Sequence, residues 1–307
     1  MANIAGLPPG ITVLERGWLS SNNIVFTGGH RTAVVDSGYC THAEQTLGLL
    51  RPALAGRALD LLLSTHLHSD HCGGNSLLQA EYPGVQTWIP PGQSEHVRTW
   101  DPVALTYVPT GQQCPRFRIE ALLQPGQTID LGDLSWKIHA SPGHDPHSVV
   151  LFEPASRTLI SADALWENGF GVVFQELEGE HAFDQVARTL DLIEGLDPLI
   201  VIPGHGKVFT HVAQSLAAAR RRLDGFVQDP ARHAAHAAKV LLKFKLLELQ
   251  RLRLPEFIGW ARATPYFAMV HGRWFADMSL EQWIVQLAES LVRSGAARRE
   301  GEYVLNE

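Results

Sequence analysis

Cysteine is scarce in this chain of 307 residues: only Cys40, Cys72 and Cys114. Three are too few for a disulfide framework, and a reducing, cytoplasmic compartment is the simplest expectation. Long apolar runs are lacking too. No stretch reaches the roughly 18 uncharged apolar residues of a membrane-spanning helix, so no membrane partner is expected. Met1–Trp18 carries two adjacent prolines and no apolar h-region, which argues against a secretory signal. The 27 glycines and 18 prolines follow no fixed period, which excludes collagen-like and low-complexity chains. Tyrosine is thin, with none between Tyr107 and Tyr266.

Apolar residues make up 45% and charged residues 19% of the sequence, the composition of a globular protein with a real core. The net charge of −7 is unevenly spread. Residues 1–206 hold 10 Lys+Arg against 22 Asp+Glu, a balance of −12; residues 207–307 hold 15 against 10, a balance of +5. An acidic body and a mildly basic tail predict two modules, divided as 1–209 and 210–307.

The first module reads as short strands joined by turns and occasional helices. Ile24–Thr27 with Ala33–Asp36, Gln127–Leu131 with Ser135–Ala140, and Val149–Phe152 with Thr158–Ser161 are hairpin patterns. Leu59–Ser64, Val85–Ile89 and Leu199–Ile202 are further strands, and Ala43–Leu50 and Phe183–Ile193 have helical spacing. The class is α+β: two sheets sandwiched by helices. The second module changes texture. Val212–Gln228, Ala231–Leu252, Pro255–Ala263 and Ser279–Ser294 read as helices, followed by a hairpin at Ala297–Leu305, a helical, winged-helix-like arrangement. Its aromatic residues Trp260, Tyr266, Phe267, Trp274 and Phe275 suit either an apolar lid or the module's own core. His233 and His236, three apart on a helix, read as a solvated face.

The fifteen histidines matter through their placement. Thr65-His66-Leu67-His68-Ser69-Asp70-His71 follows an apolar strand and packs four potential metal ligands into six residues. Imidazole and carboxylate suit zinc and its first-row neighbours. Two adjacent ions need more donors than one loop supplies, and three further candidates follow strand-like runs: His144 in Ser141-Pro142-Gly143-His144, Asp163 in Ser161-Ala162-Asp163, and His205 in Pro203-Gly204-His205-Gly206.

This H-x-H-x-D-H loop, the three later positions in this order, and the strand end Val34-Val35-Asp36-Ser37-Gly38 resemble the metallo-β-lactamase-fold hydrolases over about residues 10–210. The resemblance implies a four-layer αββα sandwich with two divalent metal ions at one edge, zinc first, with iron or manganese as alternatives. It implies that His66, His68 and His144 hold one ion, that Asp70, His71 and His205 hold the other, and that Asp163 bridges them. It further implies a metal-bound hydroxide as nucleophile, with Asp70 catalytic as the proton acceptor. His147, Trp166 and Phe170 are the candidate substrate contacts. Cys72, directly after the loop, is expected to be a small buried residue behind it.

Within that family the substrate expected here is a small carboxyl ester or thioester. The His at position 68 argues against the flavodiiron branch. Asp163 and the missing signal argue against antibiotic cleavage. The missing tyrosine between Asp163 and His205 argues against an acyl-homoserine lactonase. The alternative is a metal-dependent endoribonuclease or phosphodiesterase, but a sequence pI of about 6.1 is far from a basic nucleic-acid footprint. A mononuclear-iron persulfide dioxygenase is a third class, disfavoured by the full set of seven ligand positions. The oligomeric state is left open by the sequence.

Overall fold

The computed structural model describes residues 6–307; the first five residues of the N-terminal segment lie outside it. The chain forms two compact units, Met1–Leu105 with Gln113–Asp224, and Thr106–Gln112 with Gly225–Glu307. The division falls within one continuous helix and not near residue 209, and a short segment at 106–112 joins the second unit.

The first unit is built on two sheets. One comprises β1 (Ile11–Leu14), β2 (Asn23–Phe26), β3 (Ala33–Val35), β4 (Leu61–Leu63), β5 (Gln86–Ile89) and β6 (Ala121–Leu122), in that spatial order. It is antiparallel from β1 to β3 and parallel from β3 to β6. The other comprises β7 (Thr128–Leu131), β8 (Leu134–Ala140), β9 (Val149–Glu153), β10 (Thr158–Ala162) and β11 (Ile200–Pro203), ordered β11-β10-β9-β8-β7. Only β10 and β11 pair in parallel there.

Alternation along the strands divides the apolar side chains between two cores. Val35, Leu61 and Leu63 of the first sheet pack with Trp136, Ile138, Leu151, Ile160 and Ile202 of the second. Val34 and Leu62 point the other way, into Leu47, Leu50 and Leu54 of α1 (Ala43–Leu54) and Leu78. Strands buried on both faces read in sequence as unbroken apolar runs. Three short helices follow α1: α2 (Ser69–Cys72), α3 (Asn75–Glu81), which carries Leu78, and α4 (Ser94–Thr99). α5 (Tyr107–Thr110) belongs to the second unit. After β10 come α6 (Phe174–Glu178) and α7 (Ala182–Leu196), the latter burying Phe183, Val186, Leu190 and Ile193 along one stripe. The architecture is the expected αββα sandwich.

α8 (Val212–Gln228) carries the division between the units. The second unit continues with α9 (Pro230–Leu249), β12 (Arg251–Arg253), α10 (Leu254–Ala263), α11 (Pro265–Trp274), α12 (Leu280–Arg293), β13 (Ala297–Glu300) and β14 (Tyr303–Asn306). Its sheet has the order β12-β14-β13. The helix read as Ala231–Leu252 ends sooner, because Arg251–Arg253 pairs with Tyr303–Leu305 as a strand. Ser279 caps α12, accepting a hydrogen bond from the Gln282 amide at 3.2 Å. Tyr266 and Phe267 are buried, and the Phe267 ring lies 6.3 Å from that of Trp283. These two aromatics are therefore part of the unit's core, whereas Trp260, Trp274 and Phe275 are half-buried. His233 also departs from expectation: it is buried, with its ring 4.8 Å from that of Phe226. No helix among the described residues is long and apolar enough to cross a membrane.

Candidate metal centre

The seven histidine and aspartate residues come together at the ends of four strands. β4 leads into Ser64, Thr65 and His66; β8 leads to His144; β10 leads to Asp163; β11 leads to His205. Asp70 and His71 sit on α2, a single turn that follows His68. At the end of β10 the pairing with β11 shifts register between Ile160 and Ala162. Ala162 takes a left-handed conformation (φ 47°), and that kink turns Asp163 out of the strand.

Three overlapping groups have ligand atoms within 4.8 Å of one another: His66, His68 and His144; His66, His71 and Asp163; Asp70, His71 and His205. His68 Nδ1 faces His144 Nε2 at 2.8 Å. His205 Nε2 lies 3.1 Å from Asp70 Oδ2. Asp163 stands between the groups, 3.4 Å from His71 Nε2, 3.5 Å from His144 Nε2 and 3.8 Å from His205 Nε2. Two glycines make room for this convergence. A Cβ on Gly204 would overlap Asp163 Oδ1, and one on Gly171 would overlap the His144 ring.

The imidazoles are held from behind. His71 Nδ1 donates to Asp36 Oδ2 at 2.7 Å, and His144 Nδ1 donates to the Val172 carbonyl at 2.6 Å. His66 Nδ1 lies 3.1 Å from the Thr65 hydroxyl. A proton fixed on Nδ1 leaves Nε2 as a lone pair facing inward. His66 Nε2 and His71 Nε2 are buried and have no hydrogen-bond partner among the described residues. An inward His66 lone pair without a protein partner, and a His71 Nε2 aimed at carboxylates where a cation would take the place of its proton, fit divalent cations.

The electrostatics agree. Burial, reinforced by the neighbouring imidazoles His71, His68 and His144, pushes His66 well below the ordinary histidine range. Burial likewise lowers His144, to about 4. Burial opposes charge on His71 as well, but Asp163, Asp36 and Asp70 outweigh it and hold the group well above the usual range. Burial would raise Asp163 and Asp70, but the imidazoles around them, His71 foremost, keep both carboxyls low. The site thus sets ionised carboxylates against histidines, with His66 and His144 held neutral, the form that can donate a lone pair to a cation.

Asp36 was legible only as a strand end. It takes a left-handed conformation (φ 60°), and its carboxylate accepts from the Thr65 amide at 2.8 Å, the Thr65 hydroxyl at 2.9 Å and His71. It ties β3 to the ligand loop. Asp145 was missed: it is buried, with Oδ2 3.8 Å from His68 Nε2, the nitrogen that faces away from His144. Trp18 was also missed, because a lone tryptophan in a turn carries no pattern. Its ring stacks on His205, and Trp166 meets it edge-on with centroids 5.3 Å apart. Phe174 stands edge-on to His68 on the other flank, at 6.1 Å.

The candidate substrate contacts fare differently. Trp166 adjoins the centre, donating from Nε1 to Asp163 Oδ1 at 3.1 Å. Phe170 is buried and lines a small cavity with His144 and Asp163, behind them and beneath the Arg222 guanidinium. His147 is exposed, its imidazole lying against Gly92 and not among the seven. Cys72 is buried behind the loop, as expected.

A two-sheet sandwich that gathers histidines and aspartates at its strand ends in this pattern defines a metal-dependent hydrolase. Residues 16–205 match the family model described as the metallo-beta-lactamase superfamily, and the chain belongs to that superfamily. Over 222 residues it is 27% identical to a hydroxyacylglutathione hydrolase of Brucella anthropi, with 70% of each protein covered. Over 230 residues it is 29% identical to an acyl-coenzyme A thioesterase of Homo sapiens, covering 64% of this chain and 78% of the relative. A beta-lactamase domain protein from Burkholderia ambifaria shares the fold with a TM-score of 0.59 at 20% identity, covering 100% of this chain and 96% of that one. A metallo-beta-lactamase family protein from Thermus thermophilus does so at 0.58 and 18%, covering 98% and 99%.

Proposed function

We propose that this protein is a dinuclear metal-dependent hydrolase of small acyl thioesters. The observation that carries the reading is Asp163, within 3.4–3.8 Å of a histidine from each side of the centre, the placement a bridging ligand needs. His66, His68 and His144 would hold one ion, and Asp70, His71 and His205 the other, zinc being the first choice for nitrogen and carboxylate donors. When bound, two such cations lower the pKa of a water held between them and polarise the oxygen of the scissile carbonyl.

The chain's own groups do the rest. Asp70, the more exposed of the two centre aspartates, would take the proton of the attacking water and return it to the leaving sulfur. Asp36 keeps the His71 proton on Nδ1, and the Trp166 indole N–H fixes the Asp163 carboxylate. Trp18 and Trp166 on one flank and Phe174 on the other offer apolar faces to the substrate. Two relatives whose names specify acyl-thioester substrates support this bond type. Arg253, Arg262, Arg293 and Arg298 of the second unit each face a carboxylate, which weakens the case for a phosphate-tracking surface.

The test is metal analysis of the purified chain, followed by a panel of acyl thioesters, carboxyl esters, phosphodiesters and single-stranded RNA. The reading expects two ions per chain and thioester turnover that barely changes with salt. Metal-dependent RNA cutting, steeply weakened by salt and absent from His66→Ala, would replace it.

A further inference from the structure

All three cysteines of the chain, at positions 40, 72 and 114, meet in one place, and none is in a disulfide. Cys72 Sγ lies 3.8 Å from Cys114 Sγ. Cys40 Sγ donates to the carbonyl of Gln113, the residue before Cys114, at 3.4 Å. Cys72 is buried, whereas Cys114 is partly exposed. The surroundings of Cys72 give the pair its interest. It closes α2, one residue after His71, and its thiol lies 3.3 Å from the carbonyl oxygen of His68 and 3.5 Å from that of Leu67. The thiol proton therefore belongs to the hydrogen bonding of the ligand loop.

Two sulfurs 3.8 Å apart must approach by about 1.8 Å to reach the S–S bond length of a disulfide. Residues 112–120 form neither helix nor strand, so no backbone ladder fixes Cys114 itself, while the Gln113 amide before it donates to the Tyr39 hydroxyl at 3.1 Å. We infer that Cys72 and Cys114 are an oxidation site, converted to a disulfide by a peroxide, and that the bond loosens the metal-binding loop. The steps balance. The Cys114 sulfur, the more accessible, attacks the peroxide ROOH, becoming a sulfenic acid and releasing ROH. The Cys72 sulfur then attacks the Cys114 sulfur. The S–S bond forms, the S–OH bond breaks, and the hydroxyl leaves as water with the Cys72 proton. Two thiols are oxidised by two electrons and one peroxide is reduced.

Two consequences follow for the loop. The carbonyls of Leu67 and His68 lose the thiol as a donor, and α2, which carries Asp70 and His71, becomes tethered to residues 112–120. Oxidation thus acts on residues proposed to hold the second ion. This differs from direct peroxide damage at an exposed thiol because it needs both cysteines and is reversed by a dithiol.

The experiment uses the full-length, zinc-loaded chain titrated with hydrogen peroxide. The readouts are intact mass, peptide mapping without reduction, and zinc released to a colorimetric chelator, none of which depends on the substrate. The expected result is a mass loss of about 2 Da, a peptide linking Cys72 to Cys114, zinc release rising at least severalfold, and reversal by dithiothreitol. Cys40→Ser should behave like the natural chain. Cys114→Ser should keep its zinc under the same dose and show no linked peptide. Recovery of Cys72 and Cys114 as separately alkylated thiols after peroxide treatment would overturn the assignment, as would a Cys40–Cys114 link in their place. A Cys72–Cys114 bond with zinc fully retained would overturn its coupling to the loop.

Discussion

The indole of Trp18 lies flat on the imidazole of His205, with ring centroids 5.4 Å apart and planes 11° from parallel. Trp18 is 56% exposed, whereas His205 is buried. One face of the indole is therefore committed to a residue of the candidate centre, Trp166 meets it edge-on, and the remainder is left to solvent. A substrate with an apolar arm can cover that surface. Partial burial of an indole is worth about 1–2 kcal/mol, so Trp18→Ala should raise KM for a long-chain acyl thioester about tenfold. Acetyl thioesters should change little, and the bound metal should stay the same. Equal effects on short and long acyl chains would remove Trp18 from the substrate wall.

Asp70 sits 3.1 Å from His205 and 3.9 Å from His71, on the more open side of the centre. Asp70→Asn keeps the size of the side chain and loses its basicity. The expected outcome is a folded protein whose kcat falls by roughly two orders of magnitude or more. Steady-state kinetics on the best thioester checks it, and near-normal turnover would withdraw the proton-acceptor role.

Gly204 admits Asp163 to its position, and its own amide donates to the Ala162 carbonyl at 2.7 Å. Gly204→Ala should force Asp163 and His71 apart. Metal content measured by elemental analysis should fall below that of the natural chain, with activity lost in parallel. Far-UV circular dichroism should be nearly unchanged, since the severe overlaps are with the Asp163 and His71 side chains and the nearest backbone atom, the Ala162 carbonyl carbon, lies 3.1 Å from the added Cβ. Full occupancy in the variant would mean that the site has slack the geometry does not show.

The histidines also predict how the metal-free protein responds to acid. His144 in the folded chain is lowered to about 4 from an ordinary value of 6.5. The unfolded chain therefore binds a proton at this position first as pH falls, and stability drops between pH 6.5 and about 4. His66, lowered for the same reason of burial, adds in the same direction. His71 works the other way: its raised value gives stability below pH 6.5 that is lost as pH rises through its folded pKa. His144→Gln should flatten the acid limb by about 3 kcal/mol at most. Denaturant melts of the chelated protein at pH 6.5 and pH 4.5 measure the difference, and parallel slopes in the two proteins would count against it.

Much of the candidate centre was legible because its donors obey local rules. Four of them crowd into His66–His71, after an apolar run that can only be a buried strand, and three more follow strands of the same kind. The order of short strands and turns was readable for a similar reason: alternating burial and turn chemistry act over a few residues. The second unit was read less well at its joints. The strand Arg251–Arg253 forms only because Tyr303–Leu305 lies beside it, and α11 opens on Pro265 directly after the Thr264 that ends α10.

By itself the sequence determined the candidate ligand types, their attachment to strand ends and the sandwich that presents them. Hydrophobic periodicity and turn residues operate between near neighbours, and both survive in a linear string. Tertiary structure alone decided what surrounds the ligands. Asp36 reaches His71 by a left-handed turn that brings β3 to α2, Trp18 lies on an imidazole 187 positions further along the chain, and Cys72 meets Cys114 across an irregular segment. Such contacts depend on strand order and on how far a loop can swing. No residue spacing encodes them, because each becomes possible only after the sheets have packed and brought distant backbone within reach of one side chain.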